Sequence, residues 1–285
     1  MTLGTAWLFA LVIASTAHPA DSVAVTASAR SMQPGELVVL TITAPASSDS
    51  VRLHAFNREI PAYRVDAVTW RALVGIDLGV TAGTYPVSID ARSRSRRHHT
   101  TYPLKVRPRR FPVRRLSVEP AFVNPPAEVR DRIAAEAAEL ERLWSQTTQQ
   151  RLWNGPFLAP VQGATASGFG ARSIFNGSPR SPHSGVDFVS PMGAPVAAPN
   201  AGRVVLARNL YFSGKTVVLD HGLGLFSLFA HFSVIDVHEG DVVSTRQEIG
   251  QVGATGRVTG PHLHWAVRVD GARVDPLALL TLLGR

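Results

Sequence analysis

The sequence predicts a mostly β protein: a small N-terminal β-sandwich, a connecting helix, and a C-terminal antiparallel β domain. Three observations predict it. Short apolar or alternating runs punctuated by glycine and proline fill residues 22–107 and recur through 155–285. Between them lies a stretch whose apolar residues recur at helical spacing. A chain of 285 residues also suits two domains of roughly 100–200 residues each.

The elements follow in order. Ala6 to Ser15 is an apolar run too short to span a bilayer comfortably, and Ser15-Thr16-Ala17 supplies small residues before a cleavage point. Residues 1–17 therefore read as a signal peptide, which implies export across the inner membrane to the periplasm and no stable membrane span after cleavage. Leu37 to Ile42 is a β-branched run, and Val51 to Phe56 alternates apolar with polar. Trp70 to Ile76 and Tyr85 to Ile89 are further strands, with Gly83 read as the turn between them. This spacing is that of a small sandwich over 22–107. His54 within it reads as a packed or edge histidine.

Residues 108–154 read as a basic linker and a helix. Arg92 to Arg115 carries ten Lys or Arg and no acid, a pattern of a solvated strand edge and linker; an anionic-surface contact is the alternative. His98 and His99 have no acidic neighbours in sequence and are not counted as ligands. Asn124 and Pro125 suit the N-cap and first position of a helix. Val129, Ile133, Ala137, Leu140 and Trp144 form its apolar stripe. Strand candidates resume at Val204–Leu206, Thr216–Asp220, Leu225–Ala230 and Leu263–Val267, and Asp275-Pro276 opens a short apolar helix.

Composition narrows the function classes. With no cysteine, disulfide scaffolds, thiolate metal sites and thiol nucleophiles are excluded. The formal charge of +8 suits an anionic partner, but no nucleic-acid-binding motif accompanies it. Neither H-E-x-x-H nor G-x-S-x-G occurs.

The chemistry gathers in the C-terminal half. His183 and Asp187 stand four apart and can converge on one metal if the backbone turns between them, a turn Gly185 makes easy. His262 and His264 open a strand, so both point to one face while Leu263 and Trp265 point to the core. A metal held by one of the pair favours neutral imidazole. His231 ends an apolar run and alone reads as a core-edge histidine. Two His and one Asp match a catalytic zinc site, which keeps three protein ligands and an open position.

In order along the chain stand Ser167-Gly168-Phe169-Gly170, Asn176-Gly177, His183-Ser184-Gly185-Val186-Asp187-Phe188 and Pro191-Met192-Gly193-Ala194-Pro195-Val196. They are followed by Asp220-His221-Gly222, Phe229-Ala230-His231 and Gly253 through His264. On these motifs the segment from about Phe157 to Leu279 resembles the M23 zinc metallopeptidases of the lysostaphin and LytM type. The resemblance implies a zinc endopeptidase acting on peptide bonds of bacterial peptidoglycan. It assigns His183, Asp187 and His264 to zinc, and His231 and His262 to catalysis without metal contact. His221 and His238 match no ligand position and read as structural. Phe229 and Phe232 stand where Tyr and Leu are common in the family, and neither change removes a ligand. The glycines at 253, 256 and 260 read as a loop that lets a substrate backbone approach. The alternative is a non-catalytic regulator of the same fold that activates a wall amidase, which makes cell-wall enzymes possible partners.

Overall fold

The computed structural model describes residues 22–116, 123–166, 168–179 and 181–284. The expected signal peptide and Ser167 lie outside these residues. No described helix is long and apolar enough to cross a membrane.

The N-terminal half is β1 (Ala24–Ser28), β2 (Leu37–Thr43), β3 (Ser50–Ala55), β4 (Arg58–Arg64), β5 (Thr69–Gly75), β6 (Gly83–Arg92) and β7 (Arg97–Val106). They pair antiparallel in the order β1-β2-β5-β4-β3-β6-β7. β4 turns the corner, because Arg58–Pro61 pairs with β3 while Ala62–Arg64 pairs with β5. The ladder thus folds over itself, and Val38, Leu40 and Ile42 meet Leu53, Val87 and Ile89 in one core. Gly83 is not the turn but the first residue of β6, opposite Val106; the turn precedes it at Leu78-Gly79. β7, from the basic stretch, is one of the two edge strands, with β1 at the other end. His54 is exposed on β3. His99 does have an acidic neighbour: the β6–β7 register sets it against Asp90, with Nδ1 3.1 Å from Oδ1. That carboxylate arrives through strand pairing, which sequence proximity does not reveal.

β2 is buried on both faces. Its odd-numbered Leu37 and Val39, together with Leu73, belong to the core of the C-terminal half. Tyr63 packs edge-on against Trp153 at 5.6 Å. Buried Glu36 is held by Arg30 and Arg109, and Arg30 also reaches Asp275 at 2.6 Å. Each fully buried Leu or Val adds about 1.5–3 kcal/mol, so the two halves are joined by apolar packing as well as by ion pairs.

The connecting helix α1 is Ala127–Ser145. It does not start at Asn124-Pro125 as expected; Pro126 precedes its first residue, and no side chain caps it. The cause is the second proline, whose ring drives Pro125 out of the helical region. The apolar stripe buries only at its end: Trp144 is buried, Leu140 half-buried and Ala137 exposed. Trp144 packs edge-on against Phe226 at 5.6 Å, beside Leu206 and Val218.

The basic linker also supplies β8 (Val113–Leu116), which pairs parallel with β10 (Arg172–Phe175); β10 pairs with β11 (Ser178–Pro179). The large C-terminal sheet contains β9 (Ala164–Ala166), β12 (Gly185–Val189), β13 (Pro195–Ala197), β14 (Gly202–Leu210), β15 (Gly214–Gly222) and β16 (Leu225–Ile235). It continues with β17 (Val242–Val243), β18 (Glu248–Val252), β19 (Leu263–Val269) and β20 (Ala272–Val274). Its main path is β17-β14-β15-β16-β19-β12-β9. Helix α2 (Pro276–Leu283) starts as expected, with the Asp275 carboxylate accepting from the Leu277 N–H at 2.9 Å.

Candidate metal centre

Strand alternation sets out the site. On β19, Leu263, Trp265 and Val267 are fully buried in the core, so His264, Ala266 and Arg268 face the other way, into a cavity of about 870 Å³. β12 runs alongside with Asp187 opposite His264, and β16 flanks the other edge with Ala230 opposite His264. His183 lies just before β12, tied by its N–H to the Ala171 carbonyl and by its carbonyl to the Gly170 N–H.

Three candidate ligands converge as the sequence suggested. His264 Nδ1 lies 2.9 Å from Asp187 Oδ1, His183 Nε2 lies 3.2 Å from the same oxygen, and the two nitrogens are 3.0 Å apart. A tetrahedral ion bound at about 2.0–2.1 Å separates its ligand atoms by about 3.3 Å. The donor set, two imidazole nitrogens and one carboxylate oxygen, therefore fits a small borderline ion such as zinc in both chemistry and spacing. It is the only group of this kind among the described residues. Burial pushes the Asp187 carboxyl up, but hydrogen bonds with His183 and His264 outweigh it and hold it well below the usual carboxylate range. His264 is pushed down, chiefly by burial. An ionised carboxylate and a neutral imidazole are the protonation states that bind metal.

Gly185 serves differently from the reading given above. It makes no turn; it begins β12, and its φ is not in the left-handed region. A Cβ there would meet the Trp265 carbonyl oxygen at 2.4 Å and the His264 ring at 2.6 Å. The glycine makes room for the imidazole.

His231 is aimed by a fault in its strand. The β15–β16 register shifts between Lys215 and Val217, and His231 has φ +71°. A bulge with a left-handed residue re-aims the side chain and costs about 1–3 kcal/mol. Here it turns the imidazole into the cavity. His231 Nδ1 lies 2.8 Å from the Thr255 carbonyl oxygen, so Nδ1 carries the proton and Nε2 keeps its lone pair. His262 repeats the device, with Nδ1 2.9 Å from the Gly260 carbonyl oxygen. Its Nε2 is 3.9 Å from Asp187 Oδ1. The two rings are 4.9 Å apart, and the His231 ring is 6.1 Å from that of His264. Burial lowers the His231 pKa to about 3.

His221 is fully buried away from the site, between the Ala201 carbonyl and the Ser227 hydroxyl, and His238 is exposed. The glycine loop is less open than expected. A Cβ at Gly253 would meet the backbone of β16 at 2.2 Å, and one at Gly256 would meet Gly214 at 2.4 Å; only Gly260 has open space. Two of the three glycines serve packing behind the His231 bulge. Arg257, whose part the sequence reading missed, lines the cavity between the rings of Phe175 and Phe212. No periodic signal marks it.

Residues 181–276 match the sequence model of Peptidase family M23. The chain is 45% identical over 96 residues to the peptidoglycan DD-endopeptidase ShyA of Vibrio cholerae, covering 34% of this chain and 22% of that protein. It is 38% identical over 97 residues to the DD-carboxypeptidase/endopeptidase Mpg of Neisseria meningitidis, with the same coverage. The chain thus matches about a fifth of the length of these relatives. A crystal structure from Pseudomonas aeruginosa, described as an M23 peptidase, is similar over 88% of this chain and 95% of that one, with 29% identity and a TM-score of 0.62. The matched segment, residues 181–276, is thus similar to peptidase family M23 and carries its domain.

Proposed function

We propose that the protein is a zinc-dependent endopeptidase that hydrolyses peptide bonds, in stem peptides or cross-links, of bacterial peptidoglycan, and that it works outside the inner membrane. The observation that carries the reading is the convergence of His183, Asp187 and His264 within hydrogen-bonding distance of one another, beside two further histidines whose Nε2 atoms are kept as acceptors.

His183, Asp187 and His264 would hold the ion. Zinc, when bound, supplies a Lewis acid and lowers the pKa of its water to about 7. The remaining work falls to the chain. The carbonyls of Thr255 and Gly260 fix the tautomers of His231 and His262. One Nε2 accepts the proton of the attacking water, and the protonated ring then returns it to the departing amine. The other would take a proton from solvent at Nε2 and donate it in a hydrogen bond to the oxyanion that develops on the scissile carbonyl. The wall as substrate is supported by the similarity to ShyA, which is named a peptidoglycan DD-endopeptidase.

The test is a zinc titration coupled to digestion of purified sacculi. We expect about one zinc per chain, lost in His264→Ala, and soluble fragments from the zinc-loaded wild type. Sacculi left intact by zinc-loaded protein would overturn the proposal.

A further inference from the structure

We infer that the connecting helix α1 is the end wall of the substrate groove, and that it limits the peptide arm on its side of the scissile amide to about three residues. The inference rests on the reading of the site as a peptide hydrolase and adds the length of the arm that the site takes.

Three observations carry it. First, strand register lays out the cavity floor in rows. Ala230, His264 and Asp187 form one row across β16, β19 and β12. Leu228, Ala266 and Gly185 form the next, and Phe226 and Arg268 the third. Residues of one row share a face, and successive rows lie about 6.8 Å apart. Leu228, Ala266 and Arg268 line the same cavity as His264 and Asp187. The middle row is apolar, and Ala266 at its centre is small, which leaves depth for an extended peptide to lie against the sheet.

Second, α1 stands on the third row. Trp144 packs edge-on against Phe226 at 5.6 Å, and the Arg268 guanidinium carbon lies 5.4 Å from its ring centroid. Leu140, one helical turn earlier on the same face, joins Trp144 in lining the cavity. Separate contacts hold the helix in place. The Glu136 carboxylate accepts from the Tyr211 N–H at 2.8 Å, Arg132 donates to the Asn209 carbonyl at 3.1 Å, and Glu139 pairs with Arg208. The wall is therefore in position before a substrate arrives. α1 lies outside residues 181–276, so a part of the chain that precedes the peptidase domain supplies it.

Third, the distances set the length. From His264 to Arg268 is four residues along β19, about 14 Å at about 3.4 Å per residue. An extended peptide advances about 3.3–3.6 Å per residue, so about three residues fit between the candidate ligands and Trp144 once the thickness of the ring is subtracted.

The test uses the full chain and a ladder of synthetic cross-linked stem-peptide dimers, shortened or lengthened one residue at a time at each free end. We expect kcat/KM of the zinc-loaded wild type to drop by about 10- to 100-fold where one arm passes the wall, the range that a misfit of a single group in a pocket costs. Trp144→Ala opens the wall and should move this cut-off outward by about one residue, as the space vacated by an indole allows. Trp144 is buried and its loss weakens the packing of α1, so Leu140→Trp, at a half-buried position, is the second variant. It narrows the space and should move the cut-off inward while zinc affinity stays at the wild-type level. Calorimetric titration of the same ladder into zinc-free protein, where no turnover intervenes, should show the same cut-off in Kd. Equal binding and cleavage at every length by the wild type would overturn the inference and leave the hydrolase reading intact. A cut-off unmoved in both variants would overturn it as well. A cut-off in binding without cleavage by zinc-loaded protein would support the wall and count against the hydrolase reading.

Discussion

Replacing Gly185 by alanine tests the site through a residue that touches no substrate. The new Cβ would lie 2.6 Å from Cε1 and 2.7 Å from Nε2 of His264, and 2.4 Å from the Trp265 carbonyl oxygen. Ordinary contact begins at 3.4 Å, so the ring must retreat by about 0.7–0.8 Å. It cannot retreat freely, since Nδ1 is held at 2.9 Å from Asp187. Ligand distances tolerate about ±0.2 Å, so the displacement exceeds what a metal site absorbs. We expect zinc affinity to fall by about 10–100-fold, the range seen when groups supporting a ligand are disturbed. The carbonyl clash is with backbone, so β12 and β19 must also part, at about 1–3 kcal/mol. At about 2–4 °C per kcal/mol the Tm should drop by roughly 2–12 °C. Competition against a chromophoric chelator measures the affinity, and a thermal melt of the zinc-free protein measures the rest. Gly260→Ala is the control, because nothing lies within 4 Å of its Cβ. Wild-type zinc affinity and Tm in Gly185→Ala would refute the reasoning.

Further outcomes follow from the same geometry. Asp270, in the β19–β20 turn, has both carboxylate oxygens buried without a hydrogen-bond partner, and burial raises its pKa to about 7 against the pull of Arg58. Because the folded-state value exceeds the unfolded one, its ionisation destabilises the fold, and stability should decline by up to about 4 kcal/mol as pH rises from about 4 to 7. Asp270→Asn should therefore gain on the wild type with rising pH in urea melts, and a pH-independent difference would contradict this. Leu37→Ala removes a fully buried side chain from the core that joins the two halves. It should cost about 2–5 kcal/mol and shift one calorimetric transition as a whole; two transitions, only one of them moving, would refute the shared core. His231→Ala should retain zinc yet lose about 10²–10⁴-fold in kcat, and loss of zinc instead would make it a ligand.

The sequence exposed those parts of the molecule that rest on local pattern. β2, β3, β5, β14, β15, β16 and β19 announce themselves through alternation or β-branched runs, and α2 through Asp275-Pro276. β1, β4 and β7 do not. β4 holds Pro61, and β7 is polar and basic, so neither shows an apolar period of its own, and both become strands by pairing with the neighbouring β3, β5 and β6. β8 is a linker segment until β10 pairs with it. The candidate ligands were legible because residue type and spacing are what a metal demands. What surrounds them was not. Gly185 suggests a turn, yet its work is to clear space for a ring that lies 79 positions onward in the chain. The bulge that aims His231, and the two rings that hold Arg257, arise from register and tertiary approach, which carry no sequence period.

The most direct test of the account is mass spectrometry of muropeptides released from sacculi by zinc-loaded wild type and by His262→Ala. The account predicts that the wild type opens peptide bonds while leaving glycan linkages intact. His262→Ala should still bind about one zinc per chain and release at least 100-fold less product. Undiminished release by His262→Ala, or products cut only in the glycan strand, would contradict it.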